Sequence, residues 1–350
     1  MSETYSGINV RIPVHVRRGR EDGPVVFVTA AVHGDEVNGT GAIHRLLRDP
    51  HFRIRRGAVI FVPVANPLAF DRHSRYMPDR RDLNRCFPGR AGGSLTSRLA
   101  HTIFEEIVRR SDAGIDLHTA AVRRTNYPTV RGDLSIDGVH NLAQAFGTEL
   151  VLNRQGPDGS FRREACNAGC PVIALEAGEV LKVEPAITQL ATRGIKRVLV
   201  SVGLMDASSL YEPEGDDTAQ DASRKIPIIM ERTTWVRADA GGFLTFAARP
   251  GDLVKTGQIL ATASSLLGQR LASGQGEICS PVDGIVIGMS TLPAARPGTP
   301  VFHIGELPGD VTLEAIRQRR TTEPELQDQI RSDLASNINV PSVSLTPDTP

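Results

Sequence analysis

The sequence predicts an α/β sheet flanked by helices, followed by a smaller all-β unit. Three observations lead there. Up to about residue 205, uncharged β-rich runs alternate with helical stretches, the pattern of a layered α/β sheet. Residues 206–224 are acidic, small and nearly free of large apolar groups (EPEGDDTAQDAS), which is linker chemistry. Residues 225–305 then hold many glycines and no helical period, as expected of short strands.

Taken in order, Val25–Val32 is an uncharged run suited to a strand buried on both faces. Thr40–Leu47 reads as a short helix, and Ala58–Ala65 as a second buried strand ended by Asn66-Pro67. The chain to Gly93 is irregular and rich in Arg, Pro and Asp. Thr96–Arg110 is amphipathic, with Leu99, Ile103 and Ile107 at helical spacing. Gly114–His118 is a strand, Ser135–Phe146 a helix, and Glu149–Leu152 and Pro171–Leu175 are further strands. Pro185–Gly203 is a long helix. In the all-β part, RPGDLVKTGQIL (249–260) is echoed by RPGTPVFHI (296–304), and DAGGFL (239–244) by PVDGIV (281–286). Such pairing suggests a small barrel-like unit built from two similar halves. Residues 306–350 read as one or two short charged helices and a disordered Ser/Pro/Thr end.

Composition narrows the function. The 350 residues can bury a full core. Forty basic residues balance forty acidic ones, so no global field recruits nucleic acid or an anionic membrane. No apolar run reaches bilayer-spanning length, and the N-terminus lacks a signal-peptide layout. A cytoplasmic location is expected. Cys86, Cys166, Cys170 and Cys279 form no CxxC pair and are read as reduced packing residues.

The chemistry gathers at strand ends. His33–Glu36, Asn66, Asp116–His118 and Glu176 all lie at the ends of buried strands, where open α/β sheets place their ligand crevice. His33 and Glu36, three apart across Gly34, can face one side, and with His118 they make a three-ligand zinc set that leaves a position for water. Taken alone, HxxE is better explained by a polar turn, and His118 equally well by a strand cap. Asp116 lies on the same strand face as His118 and could steer the site or pack beside it. Glu176, set between a hydrophobic run and a Gly turn, is either a general base or a structural ion-pair carboxylate. The 71–90 loop carries Arg72, Arg75, Arg80, Arg81, Arg85 and Arg90. Guanidinium groups bind carboxylates and oxyanions, although several of these must simply be solvated.

HGDE (33–36), NP (66–67), SRY…RRDLNRCFPG (74–89), DLHT (116–119) and EAG (176–178) together resemble the succinylglutamate desuccinylase/aspartoacylase family, relatives of the zinc carboxypeptidases. The resemblance spans roughly residues 20 to 305. It implies a zinc-carboxypeptidase-like mixed sheet over residues 1–205 and one zinc ion per chain on His33, Glu36 and His118. Glu176 matches the general base, and Arg75 an arginine that polarises the scissile carbonyl. Asn84 and Arg85 match the pair that holds the substrate carboxylate, and Asp82 the group that orients the first histidine. Ala120–Arg131 and the segment 161–169 match no motif, so acyl and side-chain selectivity are expected there. The all-β half-repeats also resemble lipoyl/biotinyl-type carriers, but Val282-Asp283-Gly284 offers no lysine for attachment. No attached cofactor is expected, and a role in shaping the site entrance fits better.

The expected activity is hydrolysis of a small anionic N-acyl amino acid, with homo-oligomerisation possible and no nucleic-acid or membrane partner. Two other readings stand beside it. One is a metallocarboxypeptidase acting on short peptides, which shares the ligands and base. The other is a non-catalytic anion- or nucleic-acid-binding module built on the arginine loop.

Overall fold

Backbone hydrogen bonding, not composition, decides how the uncharged runs are arranged. The computed structural model describes residues 7, 9–210, 227–269, 271, 276–309, 316 and 324–335. Its strands in the first part are β1 (His15–Arg18), β2 (Glu21–Ala30), β3 (Arg56–Val62), β4 (Ala113–His118), β5 (Arg124–Gly132), β6 (Leu150–Asn153) and β7 (Val172–Gly178). Those in the second are β8 (Ile228–Met230), β9 (Thr233–Arg237), β10 (Gly242–Phe246), β11 (Leu253–Val254), β12 (Ile259–Ser264), β13 (Glu277–Cys279), β14 (Gly284–Ser290), β15 (Ala294–Ala295) and β16 (Pro300–Glu306). The helices are α1 (Asn38–Arg48), α2 (Pro67–Phe70), α3 (Leu95–Glu106), α4 (Asp137–Phe146), α5 (Phe161–Asn167), α6 (Pro185–Ser201) and α7 (Pro324–Ala335).

The middle of the main sheet runs β3-β2-β4-β7, all parallel, with β1 antiparallel at one edge. Strands covered on both faces read as continuous apolar runs, which is why these four were legible. Alternate residues of β2 serve two cores. Val26, Val28 and Ala30 face one layer with Ile43 and Leu46 of α1 and Ile187, Ile195 and Val198 of α6. Phe27 faces the other, with Leu99 and Ile103 of α3 and Phe161 of α5. This is the period-two geometry of a strand acting between two helical layers.

Two elements lie in stretches where the sequence showed no motif. Strand β5 begins inside 120–131 and runs on to Gly132, and 161–169 contain helix α5. β5 is antiparallel to β7 and joins the two parts of the chain. Residues 124–126 pair with β14, while 129–132 pair with β6. The main sheet therefore continues β7-β5-β14-β16-β9 into the C-terminal region. A separate four-stranded sheet, β13-β12-β10-β15, completes that region. β14 serves two cores, with Ile285 and Ile287 in the first layer and Val286 and Met289 against Phe246, Leu260 and Phe302. The paired RPG motifs share a turn conformation, with Gly251 at φ 86° and Gly298 at φ 84°.

Boundaries also differ in detail. β2 starts at Glu21 rather than Val25, and α3 ends at Glu106 before a separate 3-10 turn at Val108–Arg110. Ala207–Leu210 is another 3-10 turn, while the rest of the expected linker, 211–224, lies outside the described residues. α7 supplies one of the expected charged tail helices, and the expected disordered end, from 336 on, is also outside the described residues. Among the described residues no helix is long and apolar enough to cross a membrane.

One contact tests the two-layer packing of β2. Gly114 faces Phe27 across the β2–β4 ladder, and a Cβ there would lie 2.0 Å from the ring. Gly114→Ala should lower unfolding free energy by about 1–3 kcal/mol, the usual cost of overpacking, as read by urea denaturation.

Candidate active site

The turn after β2 is built to hold His33 and Glu36 inward. Gly34 sits against the backbone of Ala69 and Phe70, where a Cβ would come within 2.0 Å of the Ala69 carbonyl carbon. Its N–H donates to the Ser74 carbonyl at 3.0 Å. Asn66 does not face the cavity. Its Oδ1 caps α2 by accepting from the Ala69 N–H at 3.1 Å, and its Nδ2 donates to the Val32 carbonyl at 3.1 Å. The Asn-Pro pair is thus a brace for the His33 turn, with Pro67 at the first helical position. A second brace closes the turn after β7. Asn38 donates to Glu184 Oε2 at 2.6 Å and accepts from the Glu184 N–H at 2.7 Å.

His33, Glu36 and His118 come together, all buried, with donor atoms within 4.8 Å of one another. His33 Nδ1 lies 2.6 Å from Glu36 Oε1, and His118 Nδ1 lies 2.8 Å from Glu36 Oε2. The other nitrogen of each imidazole meets a carboxylate. His33 Nε2 is 3.1 Å from Asp82 Oδ1, and His118 Nε2 is 2.7 Å from Asp116 Oδ2. Asp116 also accepts from the Thr29 hydroxyl at 2.7 Å, and Glu36 Oε2 from the Thr119 N–H at 3.1 Å. Two imidazoles and one carboxylate, each imidazole backed by an acid, are the donor chemistry of an open zinc site. The residues fit that ion.

Electrostatics follow from these contacts. Burial alone would raise the Glu36 pKa, but His33 and His118 outweigh it and hold the carboxyl well below its usual range. Burial disfavours protonation of both histidines, yet Glu36 with Asp82 raises His33, and Asp116 with Glu36 raises His118 well above its ordinary value. Asp82 likewise overcomes burial, held low by His33 and Arg75.

Asp82 is a bridge. Its Oδ2 accepts from Arg75 Nη2 at 2.9 Å and Nε at 3.2 Å, while Oδ1 meets His33. Arg75 Nη1 then lies 3.4 Å from Glu36 Oε1. Of the arginine-loop residues, Arg75 is half-buried, whereas Arg72, Arg80, Arg81, Arg85 and Arg90 are exposed. Arg75, Asn84 and Arg85 line the cavity. Asn84 also accepts from the Phe161 N–H at 2.8 Å, which ties the loop to α5.

The cavity holds about 270 Å³, with Glu176 on its wall. Glu176 Oε2 accepts from Asn126 Nδ2 at 3.2 Å, and Oε1 lies 3.4 Å from Arg131 Nη1. Sequence reasoning missed the rest of that wall: Arg124, Asn126 and Arg131 from β5, Arg162 from α5, and Trp235 and His303 from β9 and β16. Trp235 stacks on His303 with centroids 4.3 Å apart at 3°, and the Arg124 guanidinium sits 4.6 Å from the indole centroid. Arg124, Asn126, Arg131 and Arg162 lie in the two motif-free stretches, 120–131 and 161–169, where selectivity was expected, whereas nothing pointed to Trp235 or His303.

Residues 22–202 match the succinylglutamate desuccinylase/aspartoacylase catalytic domain. The chain belongs to that family. It is 28% identical over 260 residues, 72% of this chain and 73% of the relative, to N-alpha-acetyl-L-2,4-diaminobutyric acid deacetylase of Halomonas elongata. Its fold is similar to a succinylglutamate desuccinylase/aspartoacylase from Rhodobacter sphaeroides, with TM-score 0.73 and 25% identity over 88% of this chain and 93% of that one. It is also similar to the product-bound ectoine utilization protein EutE (DoeB) from Ruegeria pomeroyi, with TM-score 0.72 and 23% identity over 87% and 92% of the two chains. The family is one of deacylases, so hydrolase chemistry is the frame for this cavity.

Two measurements check the electrostatics. Asp82→Asn keeps the shape of the bridge but removes its charge, and zinc affinity should fall about 10- to 100-fold in competition with a chromogenic chelator. His303 is a pH probe. Burial, then Arg131 and Arg124, lower its pKa from 6.5 to about 3. The unfolded chain therefore takes up the proton first as pH falls, so this stability is complete above pH 6.5 and is lost toward pH 3. Urea unfolding at pH 7 and pH 5 should show a smaller loss in His303→Asn than in the parent.

Proposed function

We propose that this protein hydrolyses the amide bond of a small N-acyl amino acid, releasing a carboxylate and a free amine, with one zinc ion on His33, Glu36 and His118. The observation that carries the reading is the buried donor set opening on a cavity of about 270 Å³ with Glu176 on its wall. Zinc in that place supplies a Lewis acid for the scissile carbonyl and makes water more acidic. Glu176 takes the proton from the attacking water and delivers it to the departing amine. Arg75, held by Asp82, points its remaining N–H groups at the oxyanion that develops on the carbonyl. Asn84 and Arg85 dock the substrate's carboxylate.

The cavity's charge refines the substrate. Its lining carboxylates are Glu36, Asp116 and Glu176, committed respectively to the ligand set, to His118 Nε2 and to the base role. Sharing the lining are Arg124, Arg131 and Arg162 in addition to Arg75 and Arg85. Arg162 is 8% exposed and donates to the Arg154 carbonyl at 2.7 Å. An excess of guanidinium groups favours a substrate with a second anionic group, such as an N-acetyl dicarboxylic amino acid or an N-succinyl amino acid. A free ammonium, as in an N-acetyl diamino acid, finds no uncommitted carboxylate to meet it among the described residues of these walls. The small volume, walled on one side by Trp235 and His303, also weighs against long peptides and the carboxypeptidase reading.

The test is amine release by zinc-loaded protein from N-acetyl-aspartate, N-acetyl-glutamate, N-succinyl amino acids, N-acetyl-diaminobutyrate and short peptides. The diacids should turn over fastest, with activity lost on chelation and restored by zinc. Faster release from the diamino acid would overturn the anionic assignment, and faster release from peptides would favour the peptidase. Glu176→Gln should lower kcat by about 10²–10⁴-fold with zinc stoichiometry unchanged, whereas a near-parental rate would remove Glu176 from the base role.

A further inference from the structure

The base is reached by the C-terminal region through one amide. Asn126 is half-buried on β5, and its Nδ2 donates to Glu176 Oε2 at 3.2 Å. It sits where the β5–β7 register shifts, since Asn126 is opposite Gly178 but Thr129 is opposite Glu176. On its other side β5 pairs with β14, with Asn126 opposite Gly288. β14 is itself irregular there, its register against β16 shifting between Val286 and Gly288. Bulges beside active sites commonly re-aim a side chain. A Cβ on Gly288 would lie 2.6 Å from Asn126 Oδ1, 3.2 Å from the Thr125 carbonyl oxygen and 3.7 Å from His303 Cβ. The amide oxygen thus rests in the gap that Gly288 leaves, and the amide nitrogen is turned to the carboxylate.

We propose that Asn126 is a positioning residue for Glu176, and that Gly288 of β14 sets the orientation of its amide. The inference rests on Glu176 being the base. Carboxylates rotate readily about their last bond, and a donor on one oxygen restrains that rotation. The proton is then taken and returned at a fixed place, which matters because small misplacements of a catalytic group are costly. Arg131 approaches the other oxygen at 3.4 Å, but its charge is shared with the cavity, whereas Asn126 brings a neutral donor of fixed polarity. A strand more than a hundred residues away in sequence thereby takes part in the alignment of the base.

The experiment is a double-mutant cycle read in two ways, with Glu176→Gln beside it. With the fastest substrate of the panel above, Asn126→Ala should lower kcat about 10- to 100-fold with little change in KM or zinc content. Asn126→Asp has the same shape but presents oxygen to Glu176, so it should be at least as slow as Asn126→Ala. A purely packing role would instead leave Asn126→Asp close to the parent. Gly288→Ala should lower both kcat and the urea midpoint. In the Asn126→Ala background the same change should cost less in both, because the closest clash and the hydrogen bond are gone and only the 3.2 Å approach to the Thr125 carbonyl oxygen is left. Additive losses in stability would sever Gly288 from Asn126 even if one variant proved poorly active. Full kcat in Asn126→Ala and Asn126→Asp, with Glu176→Gln inactive, would sink the positioning role alone. A fast Glu176→Gln would instead sink the base assignment on which it stands.

Discussion

A carboxylate buried between two imidazoles is the constraint on which this structure depends. Glu36 is 2% exposed, and removing such a charge from water costs several kcal/mol unless it is paired. Both its oxygens are committed, one to each histidine, and the Thr119 N–H shares the second. The histidines pass the requirement outward to Asp82 and Asp116, and Asp82 passes it to Arg75. Each step fixes a side chain by the need to satisfy the one before it. The braces at Asn66 and Asn38 then hold the backbone that carries the chain of charges. Such a network is strong when complete and costly when any member is missing.

The same logic explains why the walls of the cavity come from distant parts of the chain. β5 faces β7 along one edge and divides its other edge between β14 and β6. Dividing an edge this way needs a break in the ladder, and Pro128 lies inside it, between Asn126 and Thr129. A proline has no N–H to donate, so it is tolerated where pairing is already interrupted. The break lets one strand present Arg124 and Asn126 beside the C-terminal strands and still hold Arg131 beside Glu176. His303 is kept neutral by its burial and by the arginines around it, which suits it to stack on Trp235.

Much of this was legible in the sequence, and the reason is physical. Strands covered on both faces must be apolar throughout, so polar residues at their ends stand out as sharply as His33, Asp116, His118 and Glu176 do. The family resemblance offered Asp82 as the group that orients the first histidine, and that contact is present here, whereas its bridge to Arg75 emerges only from the structure. β5 stayed hidden because RTNYPTVRG has arginines near both ends, a central proline and no clean alternation. Its strand state is imposed by neighbours that are far away in sequence. α5 was hidden for a related reason, since seven residues with two arginines and a glutamate carry too little periodicity to read. Trp235 and His303 show no local signal at all, because their role is conferred by the β14–β5 ladder.

That ladder also bears on how the chain can be divided. A fragment ending near residue 205 would keep every proposed zinc ligand and Glu176, yet it would leave the first residues of β5 with open N–H and C=O groups facing water. Exposed strand edges of that kind recruit other chains. Ile285 and Ile287, which pack into the first layer, would be lost with them and leave a hollow against its core. Recombining this family by exchanging C-terminal regions therefore meets a seam through the middle of a sheet. A workable exchange would carry Arg124–Asn126 together with β14, so that both sides of the seam come from one parent.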